Sequence, residues 1–176
     1  MSANTSNTPE NERDQWCTPP AIFQWFHRRF AFDVDLAATH ENALLPNFFT
    51  RDTDALERPW ARLFPGRAGW CNPPYSNVSP WLEKARNEAL EGFTTVLFIP
   101  SPDGSSYYGR HVFGFASELI HIVGRIAYLN KDGVPQPGNR WGSCMVIYRA
   151  HDLGHTRYSH VWRDHMLAAA RQERAA

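Results

Sequence analysis

Cysteine is scarce and badly placed for stapling: Cys17, Cys71 and Cys144 are odd in number and show no C-x-x-C spacing. Neither a disulfide framework nor a zinc knuckle is supported, and the three thiols are expected as small core residues. Long hydrophobic runs are missing too. No apolar stretch reaches the 18 residues of a membrane span and no signal-peptide pattern appears, so no membrane partner and a cytoplasmic setting are expected. Charge of either sign is not in excess. The 18 Lys+Arg balance 18 Asp+Glu, which argues against a protein held on nucleic acid by a bulk positive field alone. Lysine is almost absent, because 16 of the 18 basic residues are arginine, the better bidentate reader of phosphate and guanine. The balance also hides an asymmetry. Residues 1–100 hold 9 basic against 12 acidic side chains, whereas residues 101–176 hold 9 against 6 and six of the eight histidines. The histidines at 151, 155, 160 and 165 lack an acidic or cysteine partner at ligand spacing, so no metal site is expected. Neither a helix-turn-helix nor an added partner domain is visible, and no obligate protein partner is expected.

What is present describes one domain. Of 176 residues, 43% are hydrophobic, enough to bury a core without staples. Residues 1–13, MSANTSNTPENER, are polar without an apolar face and read as a disordered lead-in; the domain is expected over 14–176, with a tail from about 152. Thr18 and Pro19 read as N-cap and first helical residue of a helix over about 19–30, with Ile22, Phe23, Phe26 and Phe30 as its apolar stripe. FAFDVDLAA (30–38) and AGWC read as strands, and Ser79-Pro80 starts a second helix that Gly92 closes. TTVLFIP (94–100) is a strand apolar on both faces. ELIHIVG, RIAYLN and SCMVIYR supply further strands, GSSYYGRHVF (104–113) a short helix, and 157–171 a terminal helix. This alternation predicts a doubly wound, mostly parallel α/β sheet, whose ligands bind outside the carboxyl ends of the strands. Asp35 and Asn72 both fall at such ends. Only about 37 residues separate them, too few for a full second βαβ unit.

At residues 69–76, GWCNPPYS, a strand runs into Asn72, Pro73 and Pro74. Proline fixes φ, lacks an N–H and forces its predecessor into extended geometry, so the bend is stiff before any ligand arrives. It exposes carbonyl oxygens and the Asn72 amide oxygen with few competing donors. An amino group fits such a corner.

The bend resembles the NPPY catalytic motif of S-adenosylmethionine-dependent amino-methyltransferases. QWCTPPAIF, FDVDLAATHENA, FFTRDTDAL, GWCNPPYS and WLEKA, in that order, are together similar to the compact phage-type DNA N6-adenine methyltransferases, the phage Dam-like family, from about Trp16 to Arg149. The resemblance implies a compact Rossmann-like methyltransferase with a reduced strand set, S-adenosylmethionine as cofactor and DNA as partner. It implies catalytic roles for Asn72, Pro73, Pro74 and Tyr75, with Tyr75 stacking on a flipped adenine. For the cofactor it implies Trp16, Thr18, Pro19, Asp35, Ala37 and Asp54; by composition alone Asp33 and Asp52 are equally eligible, and the family pattern favours Asp35 and Asp54. No G-x-G loop follows the first strand, where LAATHENA stands instead. Ser76, Arg125, Arg140 and Trp141 are the expected DNA contacts, and SPDGSSYYG (101–109) a lid. The same acceptor bend suits any planar amide or amine, so RNA adenine and protein glutamine are rival substrates. A non-catalytic DNA-binding protein on a decayed methyltransferase fold is a rival of another class.

Overall fold

TTVLFIP forms β3 (Thr94–Pro100), whose five inner residues are all buried. Around it the computed structural model, which describes residues 14, 16–101, 104–136 and 141–175, builds one six-stranded sheet. The lead-in 1–13 lies outside the described residues. The other strands are β1 (Val34–Asp35), β2 (Ala68–Cys71), β4 (Glu118–Val123), β5 (Ser143–Tyr148) and β6 (Arg157–Trp162), in the spatial order β1-β2-β3-β5-β4-β6. Three pairings are parallel (β1 with β2, β2 with β3, β4 with β6), and β5 runs antiparallel to both its neighbours. The α/β class is as expected, but the sheet is mixed. A wholly apolar strand reports cover on both faces and not the sense of its neighbours, so SCMVIYR could not disclose its reversed direction.

Alternation of side chains gives each strand two faces, and each face has its own helical cover. On one, Leu36, Cys71, Leu97, Ile99, Leu119, Cys144 and Val146 pack beneath the short helix α2 (Trp60–Leu63) and the helix α3 (Ser79–Leu90) through Trp60, Leu82, Ala85 and Ala89. On the other, Trp70, Val96, Phe98, Ile120, Met145 and Ile147 receive Ile22, Phe23 and Phe26 of α1 (Pro20–Phe30) and Met166 of the terminal helix α4 (Arg163–Ala175). The buried carboxylate of Glu118 ties the layers: Arg29 and Arg149 donate to it at 2.7 and 3.2 Å, and the Ser159 hydroxyl at 3.3 Å.

Several local expectations shift. α1 starts one residue later than expected, with Pro19 extended and Pro20 first in the helix. Ser79 does not cap α3 but is its first residue, and its hydroxyl lies 2.7 Å from His111 Nε2. RIAYLN is not a strand; only Leu129 bridges, to Cys17 and Pro135, after Gly124 turns the chain at φ +102°. The 104–113 segment does contain a short helical turn, Tyr108–Val112. The tail begins as β6 and becomes helical only at Arg163. Nearly all of β6 is exposed on both faces, so no apolar alternation marks it in the sequence.

At Gly69, in β2, a Cβ would come within 2.8 Å of Phe93 Cζ and 2.9 Å of Leu36 Cδ1, both in packed side chains. Gly69→Ala is expected to destabilise the protein by about 1–3 kcal/mol through overpacking, read as a lowered denaturation midpoint.

Candidate active site

β2 ends at Cys71, and Asn72, Pro73 and Pro74 turn the chain away from the sheet toward α3. The turn is held from outside by the segment that precedes α1. Asn72 Nδ2 donates to the Trp16 carbonyl at 2.7 Å, which orients the amide and points Oδ1 the other way. Cys17 exchanges both backbone hydrogen bonds with Leu129, at 2.8 and 3.0 Å, so this segment is itself fixed to the loop after β4. At the far end of the turn, the Ser76 N–H and hydroxyl donate to the two carboxylate oxygens of Asp14 at 2.9 and 2.6 Å. The pre-helical segment is therefore a strap that grips both ends of NPPY.

Three aromatic rings enclose the corner. Trp16 stacks on Tyr128, with centroids 5.2 Å apart, and meets Tyr75 edge-on at 6.1 Å. The Tyr75 hydroxyl lies 2.9 Å from Asn72 Oδ1, 2.9 Å from the Tyr128 hydroxyl and 3.4 Å from the Phe98 carbonyl. Tyr128 in turn lies 2.9 Å from Ser143 Oγ. Burial pushes the acidities of both tyrosines down, so both stay protonated. Tyr75 has one proton to give. When it donates to Tyr128, and Tyr128 to Ser143, Asn72 Oδ1 is left for another donor. Among the described residues no backbone N–H donates to the Pro73 carbonyl, whereas Pro74 accepts from Asn77 N–H at 3.2 Å. Among the described residues, then, Asn72 Oδ1 has the Tyr75 hydroxyl as its partner and the Pro73 carbonyl has no backbone donor.

One strand away, β1 delivers Asp35 opposite Trp70. Asp35 is 3% exposed and accepts the N–H groups of Ala37 and Leu44 at 3.4 and 3.2 Å. Desolvation raises its pKa from 3.8 to about 6, against the lowering effect of those two bonds. Among the described residues no cation pairs with it. A buried carboxylate lacking a counter-charge suits a ligand that brings an ammonium group. Asp33, its sequence rival, instead lies 3.8 Å from the exposed Arg67.

Other expected residues are more dispersed. Thr18 is buried beside the strap, while Asp54 is exposed, takes φ +41° and caps a 3-10 turn by accepting Leu56 N–H at 3.2 Å. That bond is enough to explain an aspartate there. Arg125 follows β4 and Trp141 precedes β5, and both are exposed at the same end of the sheet as Asn72. The Arg125 guanidinium lies near Gly142, whose carbonyl accepts Ser101 N–H at 2.7 Å. Arg140, and Pro102 and Asp103 of the expected lid, lie outside the described residues.

Sequence reasoning missed Tyr128, Ser143 and Asp14. Tyr128 and Ser143 looked like ordinary strand residues. Asp14 stands beside a polar lead-in, where a carboxylate needs no special explanation.

The α/β protein thus carries an oxygen-lined turn at the end of one strand and, at the end of the next, a buried carboxylate that no cation among the described residues pairs with. The family described as DNA N-6-adenine-methyltransferase (Dam) matches residues 5–172. A DNA N-6-adenine-methyltransferase of Haemophilus phage HP1 is 32% identical over 147 residues, covering 81% of this chain and 83% of that protein. One from Escherichia phage T1 is 27% identical over 172 residues, covering 88% and 71%. This chain belongs to the DNA N-6-adenine-methyltransferase (Dam) family.

Proposed function

We propose that the protein transfers the methyl group of S-adenosylmethionine to the exocyclic N6 of an adenine in DNA. The observation that carries this is the fixed amide of Asn72 on a preformed turn; on this reading its Oδ1 and the neighbouring Pro73 carbonyl are the acceptor pair. Adenine N6 is a poor nucleophile because its lone pair is delocalised into the ring. Accepting both of its N–H groups favours the pyramidal, attacking form and stabilises the positive charge that develops on nitrogen. The cofactor supplies the electrophilic sulfonium methyl. No separate general base is required, since the extra proton is lost to water after transfer. Tyr75 gives up Asn72 Oδ1 by turning its proton to Tyr128, and its ring forms one wall for the flipped base.

For the cofactor, Asp35 complements the methionine ammonium, and Trp16, Thr18, Pro19 and Ala37 line its surroundings, supported by the burial of Asp35 and Thr18 and by the strap on Asn72. Asp54 is the adenosine-side acid. Arg125 and Trp141 contact the DNA, with Ser76 and Arg140. The sheet fits a reduced Rossmann-like core in which β5 is the reversed strand. No helix among the described residues is long and apolar enough to cross a membrane, and the named relatives are phage proteins; we place the protein in the cytoplasm of a bacterial host.

The test is incubation with labelled S-adenosylmethionine and, in competition, mixed-sequence DNA, RNA and protein, followed by digestion. Label is expected in N6-methyladenine of DNA. Label confined to RNA or to glutamine would move the substrate, and none anywhere, with a positive control, would remove the activity.

A further inference from the structure

We propose that one face of β6 is a platform for unpaired DNA, on which Tyr158, His160 and Trp162 stack bases of the strand flanking the target adenine. The inference rests on the DNA-methylating reading above and names residues that reading does not use. Alternation places these three side chains on one face of the strand. The opposite face carries Ser159, which donates to Glu118, and Val161, which packs against the core of that face. Over β3 and β5 the platform's own face is covered by α3 and the turn that follows β3. Over β6 the cover thins to one contact, the Tyr108 hydroxyl 3.0 Å from that of Tyr158: Tyr158 and Trp162 are each 50% exposed, His160 is exposed, and His121 beside it on β4 is half-buried. α4 does not supply it, because it turns to the other side, where Met166 is buried and Arg28 pairs with Glu173.

The spacing suits bases. Every second residue of a strand is about 6.7 Å further on, twice the roughly 3.4 Å rise of a stacked strand, leaving room for one base between consecutive rings. Among the described residues no ring contact joins Tyr158, His160 and Trp162 to one another.

The platform also continues into the site. Trp162 ends β6 at the same end of the sheet as Asn72, and Arg163 next to it donates to the Arg125 carbonyl at 2.9 Å. Arg125 leads on to Gly142 and Ser101, between β5 and β3. From β6 to β2 is four interstrand steps, about 19 Å, or five to six nucleotides of stacked strand. Arg163 is paired with Asp164 at 2.7 Å, whereas Arg125 has no ion-pair partner among the described residues and complements a phosphate, and half-exposed rings take unpaired bases. A contact between two copies is disfavoured by size. Three half-exposed side chains offer far less than the roughly 800 Å² per partner of a stable interface.

The experiment uses the full chain and a labelled oligonucleotide of about 20 nucleotides, single-stranded or as a duplex, with binding read by fluorescence anisotropy at fixed salt. Tyr158→Ala and Trp162→Ala are each expected to weaken single-strand binding about ten-fold and duplex binding less than about two-fold, with sinefungin affinity by calorimetry retained. Trp162→Phe restores binding. If both alanine variants bind the single strand like the parent while the parent methylates DNA, the platform is wrong and the enzymatic reading stands. If the parent neither binds nor methylates DNA, that reading fails and the platform with it. If Trp162→Ala instead converts a dimeric parent into a monomer in sedimentation, without loss of DNA affinity, the face belongs to self-association and the proposal is overturned.

Discussion

Asn72→Ala is expected to lower kcat for DNA methylation by at least about 10²- to 10³-fold, the size of effect seen when one preorganised polar group facing a developing charge is removed. The substitution deletes Oδ1, one of the two acceptors proposed for the adenine amino group, and leaves the Pro73 carbonyl. It also deletes the 2.7 Å bond to the Trp16 carbonyl, a loss of about 1 kcal/mol that the fold absorbs. Sinefungin binding should persist, which separates lost chemistry from lost structure. Asn72→Asp is the informative companion. It keeps an acceptor but sets a carboxylate oxygen against the Trp16 carbonyl, so its activity should fall between those of the parent and the alanine variant. Equal turnover of parent and Asn72→Ala in a single-turnover assay would show that the turn is scaffolding only.

The second large effect concerns Asp35. With a pKa raised to about 6 by burial, it is largely neutral at pH 5 and ionised at pH 7.5. A ligand ammonium needs the ionised form. Affinity for sinefungin should therefore fall about ten-fold between pH 7.5 and pH 5, following the ionised fraction, and Asp35→Asn should flatten that dependence while weakening binding at pH 7.5. The stability of the ligand-free protein should run the other way. Between pH 3.8 and about 6 the native state binds the extra proton, so this group favours the fold below pH 4 and its contribution is lost as pH rises through 6, by up to about 3 kcal/mol. Calorimetric titrations of both proteins across this range provide the check, and a pH profile of binding shared by parent and Asp35→Asn would remove Asp35 from the cofactor site.

Much of this was legible because the informative residues are locally constrained. Asn72-Pro73-Pro74 announces a rigid bend through backbone chemistry alone, and TTVLFIP announces a strand buried on both sides. The alternation in FAFDVDLAA found the position of β1, although only Val34 and Asp35 pair as a strand. What stayed hidden depends on contacts distant in sequence. Tyr128 meets Tyr75 across 53 positions and Asp14 meets Ser76 across 62, and nothing near either residue foretells its partner. Strand direction was hidden for the same reason, since β5 is reversed only by where the chain returns. An exposed edge strand carries no apolar periodicity, so 157–162 reads as helix in the sequence and the face with Tyr158, His160 and Trp162 emerges only once the sheet is assembled.

The most direct test of the acceptor turn is a crystal structure with sinefungin and an adenine-containing oligonucleotide. The account predicts adenine N6 at about 3 Å from both Asn72 Oδ1 and the Pro73 carbonyl, with the Tyr75 hydroxyl turned to Tyr128. An adenine bound elsewhere, with Tyr75 still donating to Asn72 Oδ1 and closing the turn, would contradict it.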